Sequence, residues 1–70
     1  MHLTGTVIKR RMINHKWLGQ AEACLLQYEG QTPPHGGGFA TYILKGDKQH
    51  WHHLYSPFDL TRAKWDYSER

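Results

Sequence analysis

Residues 41–55, TYILKGDKQHWHHLY, decide the fold of this chain. Gly46-Asp47 sits between two arms rich in β-formers, with glycine at the first central position, where a type II′ turn requires positive φ. A two-residue loop sets the register. Lys45 faces Lys48, Ile43 faces His50, Tyr42 faces Trp51, Thr41 faces His52 and Phe39 faces Leu54. In that register Tyr42 and Trp51 form a cross-strand aromatic pair worth up to about 1 kcal/mol over Ala–Ala, while Lys45 opposite Lys48 is repulsive unless an anion lies between them.

Working outward, residues 3–14 (LTGTVIKRRMIN) suit a first strand, with Gly5 marking a bulge. Its apolar residues fall on both parities, so its inward face is open. Asn14 to Gln20 (NHKWLGQ) is a connection. Ala21 to Glu29 (AEACLLQYE) resumes an apolar pattern, with Cys24, Leu26 and Tyr28 on one side and Ala21, Ala23 and Leu25 on the other, as in a central strand covered on both faces. The same residues are good helix formers, and a short helix is the competing assignment. Gly30 to Gly38 (GQTPPHGGG) is a loop, because two prolines remove ladder donors and three glycines lift backbone restrictions. It lacks the Lys-Ser/Thr of a phosphate-binding P-loop.

Downstream, Ser56-Pro57-Phe58-Asp59 reads as a helix start, with Ser as N-cap and Pro in the first helical position, and the helix runs to about Tyr67. Leu60, Ala63 and Tyr67 form one stripe, while Phe58 and Trp65 lie almost opposite, with Arg62 near them. Cover for those two aromatics within the chain, for instance from Trp17, is the plain expectation; a second subunit or a partner is the alternative. The predicted fold is α+β: a small antiparallel sheet of three to four strands with one C-terminal helix packed on it, residues 1–70 forming a single small domain.

Seventy residues allow one small core. Cys24 is the sole cysteine, so no disulfide forms within the chain, and a reducing cytoplasm is the expected setting. Its apolar neighbours suit a buried small hydrophobe rather than a nucleophile. No run approaches the roughly 18 apolar residues of a membrane span, and the first residues lack the apolar core of a secretory signal. With hydrophobic residues at 39% and nine aromatics, the chain has too much anchoring material for a disordered tail. The net charge of +3 is compatible with nucleic acid, an acidic protein surface or simple solubility, so position matters more than total.

Three constellations bear on chemistry. His50 and His52, two apart on a strand, would project from one face and could share a metal with His35, but no paired cysteines, His-Glu motif or finger spacing accompanies them; no metal and no cofactor is expected. No Ser or Cys sits beside an evident base, and no catalytic residue is assigned. The third is a cationic and aromatic surface. Lys9, Arg10, Arg11, Lys45 and Lys48 are candidate phosphate contacts, and Trp51 and His52 are candidate stacking or base-edge contacts. Alternation along the strand separates Arg10 from Lys9 and Arg11, which weighs against one contiguous patch. Some DNA-binding domains lay strands of such a sheet in the major groove, an analogy at the level of fold alone.

No stretch forms a family motif. The residues point to a non-enzymatic regulatory module that contacts DNA or RNA. The rival is a protein-binding inhibitor or adaptor of the kind phages and mobile elements encode, using Phe58, Trp65 and Arg62 against an acidic or aromatic protein surface, or to form a homodimer, with charge only for steering.

Overall fold

The computed structural model describes residues 3–29 and 37–70. They form a four-stranded antiparallel sheet in sequential order, β1 (Thr6–His15), β2 (Gly19–Glu29), β3 (Gly37–Lys45) and β4 (Lys48–Tyr55), followed by one helix, α1 (Leu60–Glu69). This is the expected small α+β architecture. Residues 21–29 are strand, and the helical alternative fails because their period-two alternation feeds two apolar layers at once. Ala21, Ala23 and Leu25 join Phe39, Ile43, Ala63 and Tyr67 beneath the helix. Cys24, Leu26 and Tyr28 join Leu3, Ala40 and Tyr42 on the opposite face. Most of the loop expected over residues 30–38, including His35, lies outside the described residues; Gly37 and Gly38 already belong to β3.

The far face is crossed by the N-terminal segment. The Gln49 side-chain amide accepts from the Leu3 N–H at 2.8 Å and donates to the Leu3 carbonyl at 2.9 Å. Gly5 passes so close to β2 that a Cβ there would lie 2.1 Å from the Gln27 carbonyl oxygen. Glycine at this position therefore serves a close backbone approach rather than the bulge expected of it, which falls instead between Val7 and Lys9. β1 accordingly begins later than expected, at Thr6.

The β3–β4 turn is built as its sequence dictates. Gly46 takes φ +62°, and Asp47 is not among the residues with positive φ, which is the type II′ combination. Lys45 pairs with Lys48 and Ile43 with His50. Beyond that point the expected register fails by one residue. Thr41 pairs with His53, Ala40 with Leu54 and Phe39 with Tyr55, so that Trp51 and His52 together oppose Tyr42 across a β-bulge. Trp51 carries the strain as the one non-glycine residue at positive φ among those described, φ +56°.

The helix also starts later than expected. Ser56 to Asp59 form a turn closed by the Asp59 N–H to the Ser56 carbonyl at 3.0 Å, and the Ser56 hydroxyl accepts from the Phe58 N–H at 3.3 Å. Asp59 is the N-cap, its carbonyl accepting the first helical bond from Ala63 at 3.0 Å. Ser-Pro opens a turn as readily as a helix, and here the turn is used. The stripe of Leu60, Ala63 and Tyr67 packs on the sheet as expected. Cover for Phe58 and Trp65 does not materialise: they are 95% and 69% exposed.

Candidate functional site

In an up-and-down meander the first and third turns lie at the same end of the sheet. Residues 16–18 and Gly46-Asp47 are therefore neighbours, and this end brings together Trp17 and Trp51, two of the exposed rings among the described residues. His15 closes β1 and caps the first turn, its Nδ1 accepting from the Trp17 N–H at 3.1 Å and the Leu18 N–H at 3.4 Å. Its ring stacks on Trp51, with centroids 4.9 Å apart and planes at 16°. Trp17 leans against both, 6.0 Å from Trp51 and 5.8 Å from His15. On the other side of Trp51 sits His50, at 5.3 Å. Trp17 and Trp51 nevertheless remain 72% and 45% exposed. Hydrophobic burial alone does not account for rings left this open.

The bulge makes this cluster. In the unbulged register Trp51 would share a face with Tyr42 on the far side of the sheet. The extra residue turns its indole onto the helix side, between His50 and His53. His52 instead points to the far face, where it lies 5.7 Å from the Tyr42 ring and its Nε2 donates to the Gln49 amide oxygen at 2.8 Å. His50 and His52 are thus on opposite faces, and among the described residues no three His, Cys, Asp or Glu side chains gather as a metal site would require.

The bulge is offset by Asp66. Its Oδ2 accepts from the Thr41 hydroxyl at 2.6 Å, the Tyr55 hydroxyl at 2.7 Å and His53 Nδ1 at 2.9 Å, while Oδ1 faces Arg70 Nε at 3.6 Å. Only in the shifted register do His53 and Tyr55 face the helix. Strain at one residue costs on the order of 1–3 kcal/mol, and several hydrogen bonds to one largely buried carboxylate exceed it. Burial opposes ionisation of Asp66, but the three hydrogen bonds and the Arg70 charge outweigh it and hold the carboxyl below its ordinary value. Tyr55 moves up for the matching reasons, burial first and then its bond to Asp66. Arg70 also donates to the Trp51 carbonyl at 2.7 Å, tying the bulge to the end of the helix.

The cations divide. Lys45 and Lys48 flank the β3–β4 turn as a directly opposed pair, and Lys45 Nζ donates to the Gln20 carbonyl at 2.7 Å. Lys16 joins them from the first turn, its Nζ 4.7 Å from the Trp17 ring centroid. Lys9 and Arg11 pair with Leu25 and Ala23 and so lie on the helix side. Arg11 is held there, 4.6 Å over the Tyr67 ring and donating to the Ser68 carbonyl at 3.2 Å. Arg10 is on the far side, 3.8 Å from Glu22. The basic triplet and the hairpin lysines therefore do not form one patch. Of the residues singled out from sequence, Lys45, Lys48 and Trp51 come together. His15, Lys16 and Trp17 were missed, although the turn-forming stretch NHKWLGQ carries them, because only the order of the strands shows which turns are neighbours.

Two open clefts flank the His53–Asp66 pair. One, of about 410 Å³, has His15, Trp17, Trp51 and Arg70 in its walls. The other, of about 450 Å³, lies between β4 and α1 and is lined by His53, Tyr55, Thr61, Arg62, Trp65 and Asp66.

Cys24 is buried, which pushes its thiol up and makes it a core residue rather than a nucleophile. Its neighbour across the strands, Tyr42, is pushed up to about 12 by burial and by Cys24. No helix among the described residues is long and apolar enough to cross a membrane. Comparison of the chain with protein-family models, with curated proteins and with solved structures finds no match in any of the three.

Proposed function

We propose that this protein is a non-enzymatic binding module that contacts nucleic acid through the hairpin end of its sheet, in a regulatory role. The observation that carries the reading is the exposed cluster of Trp17, His15 and Trp51 beside Lys16, Lys45 and Lys48. Indole faces stack on bases, a contribution of about 1–3 kcal/mol per base, and lysines gain affinity by releasing counterions from phosphates. Lys45 and Lys48 are opposed on the ladder, and a phosphate held between them draws the Lys45 ammonium from the Gln20 carbonyl on which it rests. Rings presented in this way reach unpaired bases rather than bases stacked in a duplex. The reduced Cys24 fits a cytoplasmic setting.

The test is charge reversal at the turn. Lys45→Glu with Lys48→Glu is expected to weaken binding of a short unpaired oligonucleotide and to make log K against log salt shallower by about 1.4, at about 0.7 for each lost single-strand phosphate contact. Absence of binding by the wild-type chain at low salt overturns the reading.

A second reading has its own observation. Phe58, almost wholly exposed beside α1, is not needed for nucleic-acid contact, and an aromatic so placed suits a protein partner or a second copy of the chain. Pull-down from extract with and without nuclease separates the two, since a directly bound protein survives the treatment. Light scattering on the purified chain and on Phe58→Ala shows whether Phe58 mediates a homodimer.

A further inference from the structure

We propose that the cleft between β4 and α1 is a nucleotide site, in which Arg62 holds the phosphate and the exposed Trp65 indole carries the base. The proposal goes beyond the hairpin-end reading, because neither Arg62 nor Trp65 belongs to that cluster. Residues 62 and 65 are three apart on α1 and so are neighbours on one helix face. Together with Thr61, Tyr55 and His53 they line a cleft of about 450 Å³, within the size range of small-ligand sites. Arg62 makes no ion pair or hydrogen bond among the described residues, so its guanidinium is available for the bidentate geometry that phosphate favours. Trp65 leaves more than two thirds of its surface open, with no ring partner among the described residues.

The charge of the one acid lining the cleft, Asp66, is offset by Arg70. Both oxygens of Asp66 face protein donors, Oδ2 toward Thr41, Tyr55 and His53 and Oδ1 toward Arg70. By fixing His53 through Nδ1, the carboxylate leaves Nε2 as the ring's remaining polar atom. Asp66 and Thr41 are positioning residues in this site, while Arg62, Trp65 and His53 are the groups that touch the ligand.

The ligand chemistry, a phosphorylated nucleoside, has two sources: a free mononucleotide or the phosphorylated end of a strand. The test is an NMR titration of the full chain with adenosine 5′-monophosphate, with adenosine as control, followed by a short oligonucleotide with and without a 5′-phosphate. The expected result is a saturable shift of the Trp65 indole N–H and of Arg62, with adenosine binding at least about tenfold more weakly than its phosphate. Arg62→Glu and Trp65→Ala, both at exposed positions, should each lower affinity for adenosine 5′-monophosphate by about tenfold. Tighter binding of the 5′-phosphorylated oligonucleotide identifies a strand end, and equal affinity identifies the free nucleotide. Shifts confined to Trp17 and Trp51, no saturable shift at all, or unchanged affinity in Arg62→Glu overturns the proposal and leaves the hairpin-end reading to its own salt test.

Discussion

One carboxylate oxygen, Oδ2 of Asp66, accepts hydrogen bonds from side chains on two strands and so joins α1 to β3 and β4. Thr41 is fully buried, and without Asp66 its hydroxyl would lose its acceptor. Asp66→Asn should therefore destabilise the fold by about 2–3 kcal/mol near neutral pH, measured by urea unfolding. The pH dependence has a definite sign. The folded carboxyl sits below its ordinary 3.8, so on acidification the unfolded chain takes up the proton first. The stabilisation is complete above the ordinary carboxylate range and is lost as pH falls through the folded value. Wild-type stability should fall below pH about 4, and Asp66→Asn should flatten that fall. An equal acid slope in both proteins would show that Asp66 does not carry it. None of this is legible near Asp66 itself, where the sequence shows only an acid in an amphipathic helix.

At the scale of elements, the β3–β4 hairpin shows where local reading stops. Its turn and the pairs nearest the turn follow from Gly46-Asp47, because a two-residue loop leaves the strands no choice. The bulge does not follow, because what selects it is Asp66, on another element. Local alternation favours Trp51 against Tyr42, and tertiary hydrogen bonds override it. Trp51 is the inserted residue: without it, His52 would face Tyr42, His53 would still face Thr41, and the ladder would run unbroken. Deletion of Trp51 should thus keep the sheet and the His53–Asp66 pair, since about 1–3 kcal/mol of backbone strain is relieved as packing is lost. It should abolish stacking at the hairpin end. NMR pairing contacts between residues 41 and 53 check the first expectation; their loss would mean that the bulge is needed for the register rather than added to it. The helix boundary was hard to read for a milder reason, since Ser-Pro and Asp59 each suit a start and only packing chooses between them.

At the scale of the molecule, the strand order turns scattered residues into a surface. Sequence showed a cationic hairpin and spare aromatics, and the α+β class with it. It did not show that Trp17 in the first turn meets Trp51 in the fourth strand, because that meeting needs two intervening strands to run the full height of the sheet. The same topology divides the basic triplet of β1 between the two faces, so a count of Lys and Arg along the chain overstates the patch. The Lys45 and Lys48 reversal tests that surface, because the salt slope reports on the end of the sheet as a whole.

The most direct test of the account is the map of NMR shifts produced by a short unpaired oligonucleotide at low salt. The indole N–H signals of Trp17 and Trp51 are expected to move together with the backbone of residues 15–18 and 45–48. Binding that leaves both indoles unmoved, or no binding at all, would contradict it.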